Sequence, residues 1–175
     1  LRSFHWLLAA AVITTWLLAK VGPAKMTLHF WLGYFILGLL AFRLVWGFVG
    51  PPEARFAHFL RGPGAVTRYA RHMFSREPSY WPGHNPLGAL SVIAMLGLLA
   101  AQATSGLFID ADDYINVGPL ASSVSSATRK AMLSWHHIGG TLILLLVLLH
   151  VGIILFYRFW KGEDLIRPML NGWKE

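Results

Sequence analysis

Four apolar segments, each long enough to cross a bilayer, constrain the fold of this chain most strongly. A helix needs about 20 residues to span about 30 Å of hydrocarbon, and backbone polar groups in lipid must be paired within the protein. Residues are 55% hydrophobic and only 13% charged. The sequence therefore predicts an all-α fold, an integral membrane four-helix bundle forming a single domain over residues 1–175. The predicted helices cover about 4–21, 26–49, 87–109 and 132–158.

Helix-breaking residues separate these segments. Gly22 and Pro23 mark the first turn, and the Gly-Pro-Pro run at residues 50–52 ends the second helix, because proline cannot continue a helix. Asn85 followed by Pro86 is typical of an N-cap and a first helical position, and predicts the start of the third helix.

Basic residues predict the orientation in the membrane. If the helices alternate in direction, only four of the 15 Lys and Arg residues lie on the side opposite the termini. The positive-inside rule then places both termini in the cytoplasm. The net charge of +7 needs no nucleic acid to explain it, although it favours anionic lipid. The four residues are Lys20, Lys25, Arg129 and Lys130.

Histidines in the apolar segments suggest metal ligation. His136 and His150 are fourteen residues apart, so on one helix they share a face within about 40° and are separated by about 21 Å along the axis. His5 and His29 lie in two other apolar segments. Ionisable side chains in lipid are costly and tend to be functional, although a lone buried histidine is more often a packing residue.

Depth in the bilayer predicts how these histidines pair. With alternating helices, His5 is level with His150 near the cytoplasm, and His29 is level with His136 near the outer face. Two bis-histidine pairs predict two six-coordinate b haems. Because both axial positions are filled, electron transfer is favoured over oxygen chemistry at the iron.

Nearby residues refine the two proposed sites. His137 competes with His136 as a ligand, but it points about 140° away from the face of His150. Gly33 and Gly140 each follow a ligand by one turn, where a small side chain would admit a flat porphyrin, although small residues also serve helix packing. Arg43 is a candidate partner for a haem propionate, or a residue that reaches the interface.

The absence of cysteine excludes disulfides, cysteine-held iron–sulfur clusters and covalent c-type haem attachment. The metalloprotease motif H-E-x-x-H is also absent. A proton or metal-ion transporter is a further alternative, but no paired carboxylates lie within the apolar segments.

Several motifs in this order resemble the bacterial cytochrome b561 superfamily, and within it the b-type cytochrome subunits of nickel–iron hydrogenases and their stand-alone relatives. The motifs span nearly the whole chain: RSFHWLLA, LHFWLGY, FRLVWGFVGPPEARFAHF, GHNPLGAL, SGLFIDADD, SWHHIGG and LLHVGIILFYRFWKGEDLIRP. The resemblance implies a multi-pass protein of the bacterial inner membrane, with two non-covalent b haems held by His5, His29, His136 and His150. It also implies electron transfer between the quinone pool and a separate redox protein, such as a c-type cytochrome or a hydrogenase small subunit.

Quinone chemistry would require a proton acceptor, because two electrons leave a quinol together with two protons. Candidate groups lie in the loops, outside the apolar segments, although each is by default a solvated residue. The alternative function is a non-catalytic membrane anchor or assembly subunit of a respiratory complex, with histidines that only pack. The candidates are Asp110, Asp112 and Asp113 on the outer side and His58, His72 and His84 on the inner side.

Overall fold

A computed structural model describes residues 1–21, 25–76, 81, 83–111 and 116–172. Among these residues, four helices are long and apolar enough to cross a membrane, which confirms the predicted all-α membrane architecture. The expected turn at Gly22 and Pro23 lies outside the described residues, as do Asp112 and Asp113. The four helices are α1 (Arg2–Val21), α2 (Met26–Val49), α5 (Pro86–Gly106) and α6 (Ser126–Phe156).

The connection between α2 and α5 contains further short helices. A 3₁₀ turn at Pro52–Ala54 is followed by α3 (Phe56–Phe59) and α4 (Pro63–His72). After α6 the chain continues through a π-helical turn at Tyr157–Lys161, and α7 (Arg167–Asn171) comes last.

Two helix ends differ from those expected. The sequence predicts α6 from about residue 132, but the helix begins at Ser126, because the Ser125 hydroxyl accepts a hydrogen bond from Thr128 N at 3.2 Å and caps it. The apolar pattern predicts α5 as far as residue 109, yet it ends at Gly106. The next residues leave the helix: Leu107 O accepts from Leu120 N, and Ile109 O accepts from Gly118 N.

Close packing divides the chain into two compact units. The first unit comprises residues 3–43 and 96–144, and the second comprises residues 1–2, 44–95 and 145–175. The single-domain organisation expected from the sequence stays a prediction.

The core of the first unit is apolar and lies between helices. Leu8 and Ala11 of α1 pack with Ile36 of α2, and Leu99 and Ala103 of α5 contact this cluster. Large hydrophobic side chains elsewhere on these helices are exposed, as expected where the surrounding solvent is lipid.

The second unit is held by a polar network at the ends of its helices. The hydroxyls of Tyr69 in α4 and Tyr157 in the π turn share a short hydrogen bond, and Asn85 Nδ2 donates to the Tyr157 hydroxyl at 3.2 Å. Asn85 also caps α5, since its Oδ1 accepts from Gly88 N at 2.7 Å. This agrees with the N-cap predicted at Asn85, and the same side chain ties α4 and the π turn to the start of α5.

Candidate functional site

The structure brings two of the four predicted ligands together in the first unit. The ring centres of His29 in α2 and His136 in α6 are 6.1 Å apart. Two imidazoles on opposite sides of one haem iron, with metal–nitrogen bonds of about 2 Å, place their ring centres about 6 Å apart. The observed separation therefore fits a bis-histidine haem site.

The hydrogen bonds of both rings leave the same nitrogen available. His29 Nδ1 is 3.0 Å from the carbonyl oxygen of Thr15, and His136 Nδ1 is 3.1 Å from that of Gln102. A carbonyl oxygen only accepts, so each Nδ1 carries the proton and donates it. Each Nε2 then keeps its lone pair for a metal, which is the usual arrangement of metal-bound histidines.

A cavity of about 560 Å³ adjoins both histidines. Its volume lies within the range of about 300–1,000 Å³ that is typical of small-molecule and cofactor sites. Gly33 and Gly140, the two small residues noted in the sequence, line it. A Cβ atom added at Gly33 would meet no heavy atom of the described protein within 4 Å, so this wall of the cavity is open.

Polar residues that the sequence reasoning missed also line or support this cavity. Gln102 and Asn116 line it, and Ser105 lies 3.0 Å from His136 Nδ1 through its hydroxyl. Gln102 and Ser105 are polar residues three positions apart in an apolar helix, a signal that could have indicated a polar contact on one face. The sequence could not identify the partner, which lies 31 residues from Ser105.

The alternative ligand His137 lies at the same level of α6. His137 is exposed and also lines the cavity, whereas the His136 ring is the one that faces His29. Among the described residues, no cluster of three or more histidine or carboxylate side chains could hold a metal ion by protein ligands alone. The donor set suits a haem, whose porphyrin supplies four of the six iron ligands, better than a protein-only metal site.

The other predicted ligands lie in different units. His5 is half-buried in α1, with its ring 5.2 Å from that of Trp6, and belongs to the first unit. His150 is half-buried in α6 and belongs to the second. Their pairing stays a prediction. Arg43 in α2 is only 4% exposed, and both roles expected for it stay predictions.

Four of the candidate proton acceptors lie among the described residues, and three of these four are exposed. His58, His72 and His84 are exposed, and His72 Nδ1 donates to Arg68 O at 2.9 Å. Asp110 is half-buried, with its carboxylate 3.9 Å from Arg129 Nε. These contacts of the described candidates do not by themselves indicate a proton pathway or a quinone site.

Comparisons with known proteins agree with the geometry. A family model described as prokaryotic cytochrome b561 matches residues 1–172. The chain is 24% identical to a protein of Rhizobium leguminosarum bv. viciae named "Probable Ni/Fe-hydrogenase B-type cytochrome subunit", with 98% of this chain and 84% of the relative covered. A protein of Azotobacter chroococcum mcd 1 with the same name is 22% identical, with 99% and 85% covered. No solved structure matches.

Proposed function

Because the chain belongs to the prokaryotic cytochrome b561 family, we propose that it carries electrons across a membrane between the quinone pool and a partner redox protein. Membership of this family and four candidate spans make it a multi-pass membrane b-type cytochrome that functions in electron transfer.

His29 and His136 are proposed as the axial ligands of an outer b haem. The observation that carries this proposal is the 6.1 Å separation of their ring centres, with each Nδ1 bound to a backbone carbonyl. A haem held there would supply reversible one-electron chemistry. The protein holds the two rings in place through the hydrogen bonds of their Nδ1 atoms.

His5 and His150 are proposed as the ligands of an inner b haem. Support comes from the sequence periodicity and from α6, which is one uninterrupted helix over Ser126–Phe156. His136 and His150 therefore share a face of α6, about 21 Å apart along its axis. Arg43 of α2 is a candidate partner for a propionate of this haem, since a guanidinium can bind a carboxylate through two parallel hydrogen bonds.

The quinone site is proposed to adjoin one of the two haems, with a proton acceptor at a membrane interface. Asp110 is the candidate proton acceptor near the outer site, since Ile109 and Ala111 on either side of it line the cavity beside His29 and His136.

The partner is proposed to be a separate redox protein. The hydrogenase subunits named among the relatives support a hydrogenase small subunit, and a c-type cytochrome is the other candidate. We also propose that both termini lie in the cytoplasm, from the distribution of basic residues.

Quinol-driven reduction of the purified protein in lipid vesicles tests this function. A short-chain quinol should produce the reduced spectrum of low-spin b haem, and His29→Ala should lower the amplitude by about half, because one of two haems is lost. A matched control is His137→Ala, which removes a cavity-lining histidine without removing a proposed ligand. A colourless protein would refute the proposal and favour the membrane anchor. A coloured protein that no quinol reduces would refute the quinone claim alone.

A further inference from the structure

Ser105 is the most deeply buried polar side chain near the outer site. It lies in the last turn of α5 and is 2% exposed. Its hydroxyl donates to the backbone oxygen of Gln102 at 2.7 Å, and its Oγ lies 3.0 Å from Nδ1 of His136. A buried hydroxyl costs free energy unless it is hydrogen-bonded, and both of these contacts compensate for that cost.

The two contacts give the hydroxyl a defined role. Since its hydrogen points to the carbonyl oxygen of Gln102, Oγ can only accept from His136. The Nδ1–H of His136 is therefore shared between Ser105 Oγ at 3.0 Å and Gln102 O at 3.1 Å. The hydrogen bond of the other proposed ligand differs, because His29 Nδ1–H donates to the carbonyl oxygen of Thr15 at 3.0 Å. The Nδ1–H of His136 therefore has two acceptors, whereas the Nδ1–H of His29 has one among the described residues.

Gln102 of α5, the helix that contains Ser105, also holds the backbone of His136. Gln102 Nε2 donates to the carbonyl oxygen of His136 at 2.9 Å, so residue 102 holds the histidine by its ring and by its main chain. Glycine allows this close approach. A Cβ added at Gly106 would lie 3.3 Å from His136 Cε1, and one added at Gly139 would collide with the Gln102 side chain.

We propose that Ser105 is a positioning residue that makes His136 a stronger electron donor to the iron. This inference rests on the proposed outer haem, whose midpoint potential Ser105 would thereby lower. An acceptor on the Nδ1–H of a ligating histidine increases the basicity of the other ring nitrogen and fixes the ring orientation. A more basic ligand stabilises the ferric state relative to the ferrous state. Hydrogen bonding around the ligand is one of the means by which a protein sets a haem potential.

The test is a redox titration of both haems in the full-length protein, with the outer haem identified as the one absent from His29→Ala. Ser105→Ala should raise the ferrous-to-ferric ratio of the outer haem about threefold at a fixed potential, which corresponds to about 28 mV for one electron. The inner haem should not change. Ser105→Thr keeps the hydroxyl and should restore the original ratio.

Thr104→Ala is the matched control, because it removes a hydroxyl from the neighbouring, exposed position of α5, which does not line the cavity, and should leave both potentials unchanged. An unchanged or lowered outer potential in Ser105→Ala would overturn the role. If Ser105→Ala instead loses the outer haem, retention of that haem in Ser105→Thr supports the need for the hydroxyl. Loss in both variants indicates that only the size of the side chain matters and overturns the inference.

These outcomes are separate from a failure of the proposed function. If the unmodified protein binds no haem at the His29 and His136 level, the proposed function fails before any variant is compared. If it binds haem there and Ser105→Ala changes nothing, the function stands and only the role of Ser105 is refuted.

Discussion

The backbone at Gly118 packs against the backbone at the end of α5, and replacing Gly118 by alanine should destabilise this packing strongly. A Cβ at this position would lie 2.5 Å from Leu107 O, 2.6 Å from Leu107 C and 2.7 Å from Gly106 O. All three are backbone atoms, so no flexible side chain can move aside. The two stretches of chain would have to separate by about 1 Å to reach ordinary contact.

The cost follows from the contacts that this separation breaks. Gly118 N donates to Ile109 O at 2.7 Å, and Leu120 N donates to Leu107 O at 2.8 Å. Losing two backbone hydrogen bonds costs about 1 kcal/mol each, and overpacking adds about 1–3 kcal/mol. The total is about 3–5 kcal/mol, or a fall in the apparent Tm of roughly 10 °C for a chain of this size.

Thermal unfolding in detergent, followed by circular dichroism, measures this effect. Gly97→Ala is the matched control, because its Cβ would meet no heavy atom of the described protein within 4 Å in α5. There alanine should be neutral or stabilise the helix by up to about 1 kcal/mol. A Gly118→Ala variant that unfolds at the same temperature as the Gly97→Ala variant would refute the reasoning. Because Leu107, Ile109 and Asn116 line the cavity, the variant should also lose its outer haem more readily.

Three further predictions concern the ligands, the polar network and the C-terminal segment. His29→Ala and His136→Ala should each remove the same haem, and His5→Ala and His150→Ala the other, as seen by redox titration; loss of different haems within a pair would contradict the pairing. Asn85→Ala removes both the α5 cap and the bond to the Tyr157 hydroxyl and should cost about 2 kcal/mol, as measured by thermal unfolding. Ser125→Ala removes the α6 cap and an exposed contact with the Thr128 hydroxyl, and should cost only about 1 kcal/mol. Hydrogen bonds from the backbone N–H groups of Arg167 and Ile166 lower the pKa of Asp164 below its usual 3.8. The contribution of this carboxylate to α7 is therefore fully present above that value and lost as the pH falls through the lowered pKa. Hydrogen-exchange protection of Ile166 and Arg167 should decrease between about pH 5 and about pH 2, and an equal decrease in Asp164→Asn would contradict this cause.

The spanning helices could be predicted because their signals are local. Long apolar runs separated by glycine and proline are enough to identify α1, α2, α5 and α6. The start of α6 was missed because its first residues, SATRK, are polar and carry no apolar signal. Only the capping geometry at Ser125 determines where that helix begins. The short helices α3 and α4 were missed for a similar reason, since their sequences lack a long periodic pattern.

The site could be predicted only in part. Alternating helices bring two positions of equal depth to the same level, and this reasoning predicted the proximity of His29 and His136. The contacts that orient the rings could not be predicted. Thr15, Gln102 and Ser105 meet the histidines across helix interfaces, and such contacts depend on the rotation of each helix about its axis. Sequence periodicity determines which residues share a face, but not which residue of a neighbouring helix faces them.

Haem quantification of the purified full-length protein tests the central claim most directly. The pyridine haemochrome assay with quantitative amino-acid analysis gives the number of b haems per chain, and electron paramagnetic resonance reports the spin state of the oxidised iron. Two haems per chain, both low-spin, are expected if His5, His29, His136 and His150 supply all four axial ligands. A chain without haem, or a high-spin iron with an open axial position at the His29 and His136 level, would contradict the account.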